Sequence, residues 1–234
     1  MQLFYNPDIT PGSTSFLFDK EESRHIIKVL RKKESDIIQI TNGAGSLFTS
    51  EIVFGNEKKC EVKITAEQFF EPAQYELHLA VAPTKLNDRY EWFLEKAVEI
   101  GVTQITPLIC EHSERTNFKA DRFEKILQSA MKQSLQFYLP KLHEPVPFTT
   151  FVNEAKAGDL FIAHCEETDK KLLKHALQPK HNITILIGPE GDFSTKEINL
   201  ALAQNYVPVS LGNTRLRTET AAIVAAHSVA FVNE

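Results

Sequence analysis

The chain has 234 residues, a formal net charge of −5, 42% hydrophobic and 24% charged residues, a balance that excludes collagen-like, coiled-coil and disordered classes and leaves one large or two modest globular domains. No apolar run reaches the roughly 20 residues a bilayer span needs, and the first seven residues lack the basic and apolar segments of a signal peptide. The acidic balance is not that of a general nucleic-acid binder, so any RNA contact must be made by local patches. From the N-terminus, Ser15–Phe18, Asp36–Thr41, Leu47–Phe54 and Cys60–Thr65 read as short strands, punctuated by Asn42-Gly43-Ala44-Gly45 and Gly55-Asn56. Strands at this spacing predict a small barrel or sandwich, interrupted by one or two helical turns near Glu21–Leu30.

Beyond Phe70-Glu71-Pro72 the texture changes, which predicts two domains, 1–72 and 73–234. Leu77–Ala82 is an apolar strand. From Leu86, the residues Tyr90, Phe93, Leu94, Ala97 and Ile100 fall on one helical face, closed by Gly101 in the C′ position. There follow a strand at Gln104–Ile109, a helix over Asp121–Phe137, a strand at Leu160–Ala163 and a helix near Lys170–Leu177. A strand at Ile183–Ile187, a helix at Thr195–Ala203, a strand at Val207–Leu211 and a helix at Thr218–Phe231 complete the chain. Strands alternating with helices predict an α/β domain with a parallel sheet.

Two strand ends carry glycine turns. The first is Ile187-Gly188-Pro189-Glu190-Gly191-Asp192-Phe193-Ser194, whose following helix opens with a Ser194-x-x-Glu197 capping box. The second is Leu211-Gly212-Asn213-Thr214-Arg215-Leu216-Arg217-Thr218-Glu219, with Thr218 as the expected N-cap. Ligands of α/β sheets sit outside the carboxyl ends of strands, and glycine there lets them approach the backbone. By spacing alone, each loop is equally a plain strand–turn–helix connection, and Arg217 and Glu219 equally a simple ion pair. Neither loop is G-x-G-x-x-G or G-x-x-x-x-G-K-[ST], which removes support for a dinucleotide or nucleoside-triphosphate site. The three cysteines, Cys60, Cys110 and Cys165, are far apart and free of CxxC spacing, which points to reduced thiols in a cytoplasmic protein. Cys165 reads as partly buried and inert rather than as a nucleophile. Arg24, Lys28 and Arg31, at i, i+4 and i+7, would form a basic stripe suited to phosphate contacts, or a solvated face balanced by Glu21, Glu22 and Glu34.

Gly188-Pro189-Glu190-Gly191-x-Phe193-Ser194-x-x-Glu197, with Leu211-Gly212 and Leu216-Arg217-Thr218-Glu219-Thr220-Ala221, resembles the RsmE family of ribosomal RNA uridine N3-methyltransferases, of the SPOUT class. His25–Arg31, Lys85, Lys96–Val102, Glu114-Arg115 and Gln133–Pro140 extend the resemblance along the whole chain. It implies an N-terminal PUA-like β-barrel and a C-terminal SPOUT domain whose parallel sheet carries a trefoil knot. It also implies S-adenosyl-L-methionine as donor, no metal, a homodimer, and a uridine of 16S ribosomal RNA in the small ribosomal subunit as target. Ile187, Gly188, Pro189, Gly191, Leu211, Gly212, Leu216 and Thr218 would hold the donor. Arg217 would stabilise the uracil anion, with Glu219 as base or as the group orienting Arg217. Arg24, His25, Lys28, Arg31, Lys85 and Arg115 would contact RNA or, for the last two, a partner loop. The chain departs from the family pattern at Asp192, where the family has a second glycine, at Gln136 and at Asn213-Thr214-Arg215. The competing readings are another SPOUT methyltransferase acting on transfer RNA or a different base, a non-catalytic RNA-binding assembly factor and, more remotely, a nicotinamide-dependent dehydrogenase.

Overall fold

The computed structural model describes residues 2–115, 118–154 and 156–234. It divides into two compact units, residues 1–72 with 131–139, and residues 73–130 with 140–234.

The first unit contains β1 (Leu3–Tyr5), β2 (Ser15–Leu17), α1 (Lys20–Arg24), β3 (Ile37–Thr41), β4 (Ser46–Asn56) and β5 (Lys59–Phe69). They form one five-stranded sheet in the order β1-β3-β4-β5-β2, with β1 parallel to β3 and the other pairs antiparallel. No hydrogen-bonded pairing of β1 with β2 closes it into a barrel among the described residues. Phe4, Phe18, Ile26, Ile40, Phe48 and Val62 fill its core. Residues 131–139 belong to this unit through backbone bonds from Gly45 to Phe137 and from Leu139 to Gly43, and through a Phe70–Phe137 ring stack at 4.1 Å. At Gly45 the backbone is left-handed, with φ +96°, and a Cβ would collide with the Tyr138 hydroxyl. Only glycine suits that turn.

One helical expectation is corrected here. After α1 the chain winds into a single π-type turn, His25–Val29, and Arg31 takes a left-handed φ of 55°. The 3.6-residue repeat behind an i, i+4, i+7 stripe of Arg24, Lys28 and Arg31 is therefore broken, and Val29, 65% exposed, shares this surface. The cause is local: the Leu30 N–H bonds to the His25 carbonyl, five residues back, and the Lys32 N–H to that of Ile26.

The second unit contains β6 (Leu77–Val81), α2 (Asn87–Ile100), β7 (Gln104–Ile109), α3 (Ala120–Ser134, whose last turn counts with the first unit), β8 (Lys141–Leu142), β9 (Val146–Pro147) and α4 (Phe148–Asn153). Then come β10 (Asp159–Ala163), β11 (Lys171–Leu172), α5 (Leu173–Ala176), β12 (Ile183–Ile187), α6 (Thr195–Ala203), β13 (Val207–Ser210) and α7 (Thr218–Asn233). The sheet runs β11-β13-β10-β12-β6-β7-β8 and every pair is parallel, as the alternation of strands and helices predicts; β9 adds a short pairing to β7. All five residues of β12 are buried, as befits a central strand covered on both faces. Leu186, Ala80 and Leu108 pack with α4 and α6, while α7 lies against β6, β12 and α2. Gly101 ends α2 in the left-handed region, φ 96°, and Ser194 with Glu197 forms the expected capping box on α6.

Candidate functional site

Register brings three strand ends level: Ala163 of β10 pairs with Ile187 of β12 on one side and with Val209 of β13 on the other. The segments that leave them, His164–Lys170, Gly188–Ser194 and Leu211–Arg217, emerge side by side. This is the carboxyl edge of a parallel sheet, where such folds bind ligands.

Two adjoining cavities occupy this edge. One, of about 450 Å³, is lined by Ala163, His164, Cys165, Lys170 and the stretch Val209–Leu216. The other, of about 380 Å³, is lined by Ile187–Glu190, Asp192, Arg215–Thr218 and others. They share Ala163, Cys165, Arg215, Leu216 and Ala221. Each lies in the size range of small-molecule sites. The loops around them are cross-tied. The Thr218 hydroxyl donates to the Gly188 carbonyl at 3.0 Å, the Cys165 N–H donates to Asp192 Oδ2 at 2.7 Å, and the His112 ring bonds the Gly191 and Asp192 carbonyls at 3.1 and 3.0 Å. Thr218 is therefore not the N-cap. Arg217 holds that position without a side-chain cap, and the threonine joins the two loops instead.

The glycines differ in purpose. A Cβ on Gly188 would press within 3.1 Å of the Phe193 ring, and one on Gly191 within 3.0 Å of His112; both sit where a neighbour is close. Gly212 has open space around it but a φ of +144°, so the backbone, not crowding, calls for glycine. Asp192, next to Gly191, has a φ of 65°, a conformation Asp tolerates better than most residues.

The structure brings most of the expected site residues together. Ile187, Gly188, Pro189, Arg217 and Thr218 line the smaller cavity, Leu211 and Gly212 the larger, and Leu216 both; Gly191 lines neither, although its neighbours Glu190 and Asp192 do. Glu219 also lines neither. It is 7% exposed, and its Oε1 faces Arg89 Nε of α2 at 3.9 Å, a partner the sequence did not suggest. Lys85 and Arg115 meet beside the smaller cavity. The Lys85 N–H donates to Glu190 Oε1 at 2.9 Å, the Arg115 guanidinium to the Lys85 carbonyl at 3.4 Å, and Lys85 Nζ pairs with Glu114 at 2.7 Å. Arg24, His25, Lys28 and Arg31 lie in the first unit, with His25 near Glu22 and Lys28 near Glu57.

Cys165 is exposed rather than partly buried. Its thiol is raised above the ordinary range by desolvation and by Asp192, against the opposing pull of Arg215 and Lys170. An exposed thiol so raised is a poor nucleophile. Among the described residues no cluster of His, Cys, Asp or Glu could hold a metal ion, and no helix is long and apolar enough to cross a membrane. Two site residues escaped sequence reading: His164, which follows a four-residue apolar run, and Lys170, whose Nζ donates to the His164 and Glu166 carbonyls.

A parallel sheet with glycine turns at neighbouring strand ends, in a chain with a second, β-rich unit, fits one class of protein. The chain matches the family model described as the RNA methyltransferase domain over residues 71–230, and that of the RNA methyltransferase PUA domain over residues 18–65. It is an RNA methyltransferase with a PUA-like N-terminal domain. Within that class, it belongs to the ribosomal RNA small subunit methyltransferase E family. It is 32% identical to that protein of Buchnera aphidicola from Acyrthosiphon pisum over 219 residues, 90% of this chain and 85% of the relative. Among solved structures it is similar to a probable rRNA-methyltransferase from Porphyromonas gingivalis, at 38% identity and a TM-score of 0.92, covering 100% of this chain and 98% of the other. It is also similar to a Legionella pneumophila methyltransferase candidate in complex with the bound cofactor SAM, at 30% identity and a TM-score of 0.89, covering 99% and 97%.

Proposed function

We propose that this protein methylates N3 of a uridine in 16S ribosomal RNA, with S-adenosyl-L-methionine as donor, acting in the cytoplasm on the assembled small subunit. The observation that carries this is the pair of adjoining cavities at the carboxyl ends of β10, β12 and β13, walled by the two loops whose motifs mark the family. Their chemistry fits the donor. Ala163, Leu211, Leu216 and Ala221 offer apolar walls to a purine, and Glu190 and Asp192 offer carboxylates to a cationic sulfonium. Backbone groups of Ile187, Gly188, Pro189, Gly191, Leu211, Gly212 and Leu216, with Thr218 locking the two loops, form the cradle.

S-adenosyl-L-methionine, when bound, supplies an electrophilic methyl group. The protein's part is to hold it, to admit an unstacked base and to favour the uracil anion, since N3 is nucleophilic only after its proton leaves. Arg217, exposed at the mouth of the smaller cavity, is placed to stabilise charge developing on O2 or O4. Glu219 lines neither cavity and its Oε1 faces Arg89 rather than Arg217, which supports neither a base nor a group that orients Arg217. Lys85 and Arg115, on the Glu190 side, are the nearer candidates for RNA phosphate. In this reading the C-terminal unit is a knotted SPOUT domain, with segment 211–218 laced against Gly188. The protein acts as a homodimer through α7, whose Phe231 is 70% exposed, and α2, whose Trp92 is 44% exposed. Apolar side chains so placed mark a protein interface. Sedimentation of the wild type should give a dimer, and Phe231→Asp should shift it toward monomer; a monomeric wild type contradicts this part.

The function is tested with purified small subunits from cells lacking this modification and methyl-labelled S-adenosyl-L-methionine. Digestion of the 16S RNA should yield label in 3-methyluridine. Label in another nucleoside, or in added transfer RNA instead, would replace this target by another; no label with any RNA would leave a binding protein.

A further inference from the structure

The loop after β12 walls the smaller cavity through Gly188, Pro189, Glu190 and Asp192, but part of what holds its backbone lies on another element. The carbonyls of Gly191 and Asp192 both point to the ring of His112, whose Nδ1 lies 3.1 and 3.0 Å from them. A carbonyl oxygen only accepts, so Nδ1 carries the hydrogen that the two share, whether the imidazole is neutral or charged. The N–H groups of the same two peptides are held inside the loop. That of Asp192 donates to the Pro189 carbonyl at 2.9 Å, and that of Phe193 to Asp192 Oδ1 at 2.9 Å. Each peptide plane is thus tied at both ends, at its carbonyl by His112.

His112 is itself well anchored. It is the third residue of a turn after β7, in which the Ser113 N–H donates to the Cys110 carbonyl at 3.1 Å and the Cys110 N–H to the Ser113 hydroxyl at 2.9 Å. The Glu111 N–H beside it donates to Glu197 Oε1 at 2.8 Å. A Cβ on Gly191 would come within 3.0 Å of the His112 Cβ, so glycine at 191 lets the two segments approach closely enough for the bond. His112 is exposed, so its ring fills no core, and its packing against Gly191 is made by a Cβ that alanine keeps. What the ring adds is the shared hydrogen bond. We propose that His112 is a positioning residue for the methyl donor, which fixes the loop after β12 in its donor-binding shape through the carbonyls of Gly191 and Asp192. This rests on the donor-site reading above. A loop freed of that tie must be ordered when the donor binds, and ordering weakens affinity; the reacting atoms are not touched.

Calorimetric titration with S-adenosylhomocysteine, beside steady-state kinetics on unmethylated small subunits, tests it. His112→Ala should raise the S-adenosylhomocysteine Kd and the donor KM together, by about fivefold to tenfold, the effect of losing one neutral hydrogen bond. Its kcat at saturating donor should stay within about twofold of wild type. His112→Asn, whose amide N–H reaches the position of Nδ1, should recover most of the loss, and His112→Gln, whose amide lies one bond farther out, should not. In hydrogen exchange of the ligand-free proteins, the Asp192 and Phe193 amides should exchange faster in His112→Ala and slow again in His112→Asn. Unchanged Kd and KM overturn the proposal even if the variant melts earlier, since the histidine then serves only the fold. Equal losses in all three variants overturn it too, as does a fall in kcat with the donor KM unchanged, which would place the ring at the RNA. A wild type that binds no S-adenosylhomocysteine is a separate failure: it refutes the donor site itself, and the donor role of His112 with it.

Discussion

Arg217 and Glu219 lie two residues apart at the start of α7, yet they face different neighbours: the arginine borders the smaller cavity, and the glutamate turns to Arg89 on α2. If Arg217 acts only on charge that develops during the reaction, its loss should appear in turnover and not in donor affinity. Arg217→Ala is expected to lower kcat by about a hundredfold or more, with the S-adenosylhomocysteine Kd within about twofold of wild type. Single-turnover kinetics beside calorimetry read the two apart, and near-normal turnover removes the assignment. The same motif shows the limit of reading residues in isolation. Thr218 looks like an N-cap because threonine before a helix usually is one, but its hydroxyl is taken by the Gly188 carbonyl thirty residues away. His164 left no mark for a related reason: only the strand order shows that the residue after β10 opens onto the loops after β12 and β13.

His78 gives a pH dependence at the same scale. Its Nε2 bonds the Thr106 hydroxyl at 2.7 Å and its ring stacks on His143 at 5.3 Å. Burial, then His143, Lys156 and Lys141, push its pKa down from 6.5 to about 3. The native state therefore refuses a proton that the unfolded chain accepts. The stability this represents is complete above about pH 6.5 and drains away as pH falls toward 3. Urea unfolding should show the wild type losing about 2 kcal/mol more than His78→Gln between pH 7.5 and pH 4.5. Parallel pH profiles for the two proteins would show that the proton is not excluded.

At the scale of elements, what was legible had local causes. The run Ile183–Ile187 is apolar throughout because β12 is covered on both faces, Gly101 ends α2 because it accepts a left-handed φ, and Ser194-x-x-Glu197 caps α6 by its own side chains. What was missed had non-local or very short causes. β1 is three residues long and owes its conformation to pairing with β3, and α4 is six residues long and starts behind Pro147. The helix expected over Lys170–Leu177 shrinks to Leu173–Ala176 because Lys171 and Leu172 pair with β13. The capping box also reaches beyond its own helix. Glu197 accepts from the Ser194 N–H at 2.9 Å with one oxygen and from the Glu111 N–H after β7 at 2.8 Å with the other. Glu197→Ala orphans both donors, so it should cost about 2 to 4 kcal/mol, more than a cap alone. A lower denaturation midpoint with an unchanged m-value is the expected signature. A loss below about 1 kcal/mol would mean that the Glu111 bond adds nothing to the cap.

For the whole molecule, periodicity sufficed for a parallel sheet but not for its order. That β10 lies between β12 and β13, which levels three loops around two cavities, follows from crossovers that no local pattern encodes; it was the family resemblance, carried by the loop motifs, that singled out that edge. Charge poses the opposite problem. A protein with a net charge of −5 is repelled on average by RNA, so binding must come from positioned cations, each displacing counterions from a phosphate. In the first unit, the run Arg24–Lys33 offers Arg24, Lys28, Arg31, Lys32 and Lys33, but it folds as a π-type turn followed by a left-handed Arg31, with Lys28 already 3.8 Å from Glu57. Such an exposed pair is weak enough to exchange Glu57 for a phosphate. If this surface seats RNA, Arg24→Ala with Lys28→Ala should weaken small-subunit binding and reduce the slope of log K against log salt by about 0.7 to 0.9 for each phosphate no longer neutralised. The substitutions leave the second unit's cavities untouched, so S-adenosylhomocysteine affinity should not move. A salt slope equal to wild type would make the run a solvated face balanced by Glu21, Glu22 and Glu34, and would leave Lys85 and Arg115, beside Glu190, as the cations that meet the RNA.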